Sequence, residues 1–184
     1  MGRRSVVIAL LLVGVLVGAC GSEPSAPEAI PAAALPGSAA EPVELDAAAV
    51  SVDAIDVTGL EALLEDAGFI AGTQRLFSRT QPGRRRTLAR VLAFETPEGA
   101  ARYLTWLKDH VDEVIGDAES SSDLAAPAGG SVYVHEPDPC CHSETRVFLA
   151  MWKDGSRVIT LEVGGQAARS ADVPELISTL DAAV

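Results

Sequence analysis

A chain of 184 residues has room for one ordinary domain plus tails, since domains cluster near roughly 100 to 150 residues. All 26 acidic residues lie beyond residue 20, and once Arg3 and Arg4 leave with a leader, twelve basic residues remain, for a net charge of −14. Such a surface repels phosphate and excludes nucleic-acid binding by charge neutralisation, while 48% apolar residues with only 4% aromatics predict a core of Leu, Val, Ile and Ala.

Met1 to Arg4 forms a short positive start, and Ser5 to Ala19 is an uncharged, largely aliphatic run. This is the order of a signal peptide over residues 1–19. The run is shorter than the ~20 apolar residues a spanning helix needs. Val17-Gly18-Ala19-Cys20 resembles the lipobox of bacterial lipoproteins. The resemblance implies cleavage before Cys20, diacylglycerol on its thiol and a protein anchored on the outer face of the cytoplasmic membrane, where two or more acyl chains hold stably. Arg3-Arg4 also resembles a twin-arginine export signal, but the short start and very apolar run favour general secretion. Twelve arginines against Lys108 and Lys153 resemble the usage of high-GC actinobacteria.

From Gly21 to Val57 there are five prolines, seven acidic residues and no Lys or Arg. With Cys20 this stretch, residues 20–57, reads as a disordered, self-repelling tether carrying the lipid. The folded domain is expected over 58–184. Leu60, Leu63, Leu64 and Ala67 share a helical face that Thr58 could cap, and Gly68 ends that helix. Phe69 to Thr80 and Arg85 to Glu95 read as strands around the turn Gln81-Pro82-Gly83; the second is apolar on both faces. Thr96-Pro97-Glu98 starts a helix, and an apolar stripe from Ala100 to Ile115 continues it to Gly116. Trp106 falls at the edge of that stripe.

Asp117 to Gly130, rich in Ser, Ala and Gly, reads as a long loop. Ser131 to Glu136 is a short strand, and Thr145 to Lys153 with Ser156 to Gly164 form a hairpin across Asp154-Gly155. Ser170 to Val184 is a last helix burying Val173, Leu176, Ile177, Leu180 and Val184. The order α-β-β-α-β-β-β-α predicts an α+β domain: a mainly antiparallel sheet of about five strands with three helices packed on one face. This order resembles the small α/β envelope lipoprotein domains of actinobacteria, including those of Mog1/PsbP-like type. That resemblance extends only to the topology of the domain and implies a binding or scaffolding role.

The densest cluster of reactive side chains is His135-Glu136-Pro137-Asp138-Pro139-Cys140-Cys141-His142. Its thiols, imidazoles and carboxylates suit zinc or copper, with His135, Cys140, Cys141 and His142 as ligands. In an extended segment, however, Cys140 and His142 share a side that Cys141 faces away from. Outside the cytoplasm thiols oxidise, and with Cys20 lipidated the intramolecular partner left for Cys140 is Cys141. Adjacent Cα atoms lie about 3.8 Å apart, below the usual disulfide separation, so a vicinal bridge twists the backbone. Inert thiols, a metal site and thiol-redox chemistry stand as alternatives; the adjacent spacing is not that of thioredoxin-type motifs.

Arg84-Arg85-Arg86 with Arg90 is the one basic cluster, suited to an anionic ligand or to guarding a sheet edge. His110 is expected to face solvent. No phosphate-cradling Gly-rich loop, Gly-x-Ser-x-Gly elbow or His-Glu-x-x-His pair is present. The sequence therefore predicts a membrane-anchored lipoprotein without enzymatic activity or cofactor, its partner being an envelope protein or small ligand. A zinc- or copper-binding lipoprotein is the alternative, and a thiol-redox protein the third reading.

Overall fold

A computed structural model of the chain describes residues 25–52, 54–79, 85–127, 129–137 and 145–184. Its frame is set by four strands rich in Val, Leu, Ile and Phe: β3 (Phe69–Arg79), β4 (Arg85–Phe94), β7 (Val147–Asp154) and β8 (Arg157–Gly164). Short strands extend them: β1 (Ser38–Ala39), β2 (Val43–Leu45), β5 (Glu119–Ser120) and β6 (Ser131–His135). They form one sheet in the order β1-β3-β4-β8-β7-β6-β5, with β2 also on β3, and every pairing is antiparallel. The β7–β8 hairpin turns on Gly155-Ser156, one residue later than expected, because Asp154 pairs with Arg157 and Gly155 takes the positive φ of 58° that such turns require.

The α+β class and antiparallel sheet agree with the sequence, but the described residues form eight strands and five helices rather than five and three. The three extra strands, β1, β2 and β5, have two or three residues each, too few to show a period of two. The extra helices are α1 (Ala47–Ser51) and a split of the long central one into α3 (Pro97–Asp109) and α4 (Val111–Ile115). At the break, the His110 ring Nδ1 lies 2.8 Å from the Trp106 carbonyl, which also accepts from the His110 backbone N–H. A side chain competing for a helical carbonyl favours such a break.

Helices cover both faces of the sheet, not one. Strands β4, β7 and β8 are apolar on both sides, so each side must be removed from water. Ala89, Val91, Phe148, Trp152, Ile159 and Leu161 pack under α5 (Val173–Asp181) through Val173, Leu176, Ile177 and Leu180. Each such fully buried aliphatic side chain contributes about 1.5–3 kcal/mol. Leu92, Phe94, Leu149, Met151 and Val158 form the other face, under α1, α2 (Val57–Asp66), α3 and α4. Helix α2 is capped by Asp56, whose carboxylate accepts from Gly59 N–H at 2.9 Å, in place of Thr58. Helix α3 is capped as read, with Thr96 Oγ1 accepting from Gly99 N–H at 3.0 Å. Gly99 also lets α3 approach α2: a Cβ there would meet the Ala67 carbonyl.

The stretch expected as a tether is folded from Ile30 onward. Ile30, Ala34 and Leu35 are buried with Phe77 on the α5 face, and Arg75 Nη1 donates to the Ile30 carbonyl at 2.5 Å. Strands β1 and β2 and helix α1 follow. The domain thus begins well before residue 58, because a Pro/Ala-rich composition does not reveal that isolated apolar residues find a complementary sheet face.

Candidate functional site

The sheet face beneath α1–α4 is interrupted by polar side chains. Alternation places Arg86, Leu88 and Arg90 of β4 on the side of Leu92 and Phe94, and Thr160 and Glu162 of β8 on the side of Val158. Arg90 lies between Gln74 and Thr160 across the ladder, and Leu88 lies opposite Glu162. Helices α1 and α2 sit over β2 and β3, whereas α3 sits over β4, β8 and β7. Between them a cleft of about 240 Å³ opens.

Its floor is Leu88, Leu149, Arg86, Arg90, Thr160 and Glu162. Helices α3 and α4 present Tyr103, Trp106, Leu107, Glu113 and Val114, and Val50, Ala54 and Leu60 come from the α1–α2 region. Phe69, Phe94, Tyr103, Trp106 and His110 form a continuous aromatic run with centroid spacings of 5.8, 5.5, 6.0 and 4.5 Å. The Trp106 and His110 rings are stacked within 16° of parallel, so His110 braces the cleft wall rather than simply facing solvent. Val52, Ile55 and Val114 are exposed by 67%, 82% and 45%. Of these, Val114 lines the cleft itself, while Val52 and Ile55 stand near Ala54 in sequence.

The electrostatics of the cleft are unspent. Arg90 Nη2 donates to Gln74 Oε1 at 3.1 Å, but among the described residues its buried Nε has no hydrogen-bond partner, a state shared by Arg75 Nε and Arg85 Nη2 on the α5 side. Leaving a buried donor unmet costs about 1–3 kcal/mol. Among the described residues, none of Arg86, Arg90, Glu113 and Glu162 takes part in an ion pair. Burial pushes the Tyr103 phenol up to about 12, partly opposed by the positive charge of Arg90. Its hydroxyl therefore stays protonated at neutral pH.

Two larger hollows lie elsewhere. One of about 550 Å³ runs between residues 25–31, the ends of β4 and β8, and the C-terminus; its Arg157 is already engaged by the Val184 carbonyl and Asp154. The other, about 520 Å³, holds Arg146, which is paired with Glu136 at 2.8 Å. We assign the candidate site to the smaller cleft because there apolar walls meet convergent, uncommitted polar groups.

Of the residues singled out in the sequence, Cys20, Cys140, Cys141, His142 and Arg84 lie outside the described residues. His135 ends β6, away from the cleft, with Nδ1 2.9 Å from the Asp117 carbonyl. Among the described residues no group of three or more His, Cys, Asp and Glu side chains is placed to hold a metal, and no helix is long and apolar enough to cross a membrane. The basic cluster divides. Arg85 is buried on the α5 side, with Nη1 3.3 Å from Asp172, whereas Arg86 and Arg90 enter the cleft. Tyr103 belongs to the apolar stripe of the central helix, but neither it nor Glu113 is marked in the sequence as a cleft residue; the available signal is polar Arg90, Thr160 and Glu162 within strands otherwise apolar on both faces.

No family model matches the chain, and no curated protein matches it. A solved structure does: the extracellular domain of PknH from Mycobacterium tuberculosis, at 12% identity and a TM-score of 0.54, covering 79% of this chain and 83% of that one. The likeness is one of fold.

Proposed function

We propose that this chain is an extracytoplasmic lipoprotein module, held by Cys20 on the outer face of the cytoplasmic membrane, that binds a small ligand in the α1–α4 cleft without catalysing its conversion. The observation that carries the reading is the buried, unpartnered Arg90 Nε in an aromatic-walled cleft: an acceptor supplied by a ligand would satisfy it. The address is supported by the leader ending in Val17-Gly18-Ala19-Cys20 and by the fold shared with a domain described as extracellular. With Ile30 buried in the domain, it stands ten positions after Cys20. Ten residues span at most about 35 Å, so the domain stays close to the membrane.

Ligand binding is tested by thermal-shift screening of the full chain and its Arg90→Gln variant against small polar and amphiphilic compounds. A stabilising compound whose effect disappears in the variant supports the reading; stabilisation that is indifferent to Arg90 removes it. Anchoring is tested by fractionation: the wild type partitions with membranes, and Cys20→Ser releases the protein or leaves it unprocessed. Wild type recovered as a soluble exported protein would count against the anchor.

The metal-binding alternative has one observation in its favour. A carbonyl only accepts, so His135 Nδ1 is the donor toward Asp117, and in the neutral imidazole this leaves the Nε2 lone pair for a metal, as in sites where a backbone carbonyl orients the ring. Equilibrium dialysis of reduced protein against zinc and copper(I) decides it: stoichiometric retention lost in His135→Ala supports the site, and no retention ends it. Intact mass before and after reduction and alkylation establishes whether Cys140 and Cys141 are joined.

A further inference from the structure

The cleft floor carries both signs of charge in alternation. Glu162 lies opposite Leu88 across the ladder, so Arg86 and Arg90 are its two diagonal neighbours on β4. Diagonal positions on one face lie about 7–8 Å apart, and no ion pair closes between these side chains among the described residues. Glu113 adds a second carboxylate from α4.

We propose that the cleft receives a small apolar zwitterion of the class of a free hydrophobic α-amino acid, its carboxylate on Arg90 and its ammonium on Glu162, an assignment that rests on the cleft being the binding site. A simple anion would satisfy Arg90 but face Glu162 and Glu113. A simple cation would leave Arg90 Nε unmet. A zwitterion meets both, and it bears no net charge, so the −14 field of the mature chain does not oppose its approach.

Size and shape agree. At about 240 Å³ the cleft falls just below the roughly 300–1,000 Å³ of pockets that bury drug-sized ligands, in keeping with a ligand the size of one amino acid. Leu88, Leu149 and the half-buried face of Trp106 offer the apolar contact, and Thr160 offers a hydroxyl beside Arg90.

Calorimetric titration of the full chain with L-leucine and L-phenylalanine, alongside their N-acetyl and carboxamide derivatives, tests the assignment. The parent amino acids are expected to bind, and blocking either charge to weaken binding about tenfold or more, the loss of one charge-assisted hydrogen bond. Glu162→Gln, which preserves shape and is checked for folding by circular dichroism, is expected to weaken the parents while narrowing the gap to the N-acetyl forms. A blocked derivative binding as tightly as its parent overturns the zwitterion; if that binding still needs Arg90 and Trp106, the cleft survives as the site. No parent binding at about 10 mM, where even millimolar affinities register, also overturns the zwitterion. The broader reading falls with it only if no compound in the thermal-shift screen depends on Arg90.

Discussion

The two faces of the sheet are made by the same strands, yet they are finished differently. Under α5 and the segment around Ile30, strand side chains such as Val91, Trp152 and Leu161 meet apolar partners, and Trp152 Nε1 finds Asp181 at 2.8 Å. Under α1–α4 the same strands place Arg86, Arg90, Thr160 and Glu162 among Leu88 and Leu149. Both sides leave buried guanidinium donors without a partner among the described residues, Arg75 Nε and Arg85 Nη2 under α5 and Arg90 Nε under α1–α4. What sets the α1–α4 side apart is a cleft whose floor carries both signs of charge, Arg86 and Arg90 beside Glu162, with no ion pair among them, an arrangement that costs stability and is understandable where a ligand completes it.

The sharpest way to break this contrast is to truncate a tryptophan on each side. Trp152 is fully buried and ties β7 to α5, so Trp152→Ala is expected to cost about 3–5 kcal/mol by urea denaturation. Trp106 is half-buried and lines the cleft, so Trp106→Ala is expected to cost about 1 kcal/mol while removing ligand-induced stabilisation. Equal losses in the two variants would mean that the cleft face is simply a second core.

Ile30→Ala probes how the α5 face is completed. As part of a tether it would cost nothing. As a side chain 1% exposed against Phe77, held by Arg75 at its carbonyl, it is expected to cost about 2–4 kcal/mol. Proteolysis near residue 35 should accelerate in parallel.

That residue also shows where sequence reading stops. Thr96-Pro97 and Asp154-Gly155 announce a cap and a turn through local chemistry, and Ile159, Leu161 and Val163 announce a buried strand side by alternation. Ile30 announces nothing, because its partner Arg75 lies 45 positions away and its neighbours are Ala, Pro and Glu. The same limit applied to the cleft. Arg90 was visible as part of a basic cluster, but only the register separates it from Arg85, which turns to the α5 face. Tyr103 read as a core position, which it also is; that its ring meets a polar floor depends on where α3 lies over β4 and β8.

Tyr103 allows a pH test of the cleft face. Its pKa in the fold, about 12, stands above the ordinary 10, so the neutral phenol stabilises the native state. That contribution is fully present below pH 10 and is lost as pH rises through about 12. The difference corresponds to roughly 3 kcal/mol. The stability gap between wild type and Tyr103→Phe should therefore shift in favour of the variant between pH 8 and pH 11.5, and a gap constant with pH would place the hydroxyl in contact with water.

The smallest expected effect separates the faces most cleanly. Arg90→Met keeps an unbranched side chain of similar length on the cleft floor and removes a charge whose Nε is buried without a partner. Gln74 loses its hydrogen bond from Nη2, but it is only half-buried and can turn to water. Because an unmet buried donor costs more than an apolar replacement, the variant is expected to be about 1 kcal/mol more stable than wild type in urea. Ligand binding should be lost at the same time. A substitution that strengthens the fold while abolishing binding marks a residue kept for its ligand. Destabilisation by about 2 kcal/mol or more would instead make Arg90 a strut of the sheet, and the α1–α4 face would then differ from the α5 face only in composition.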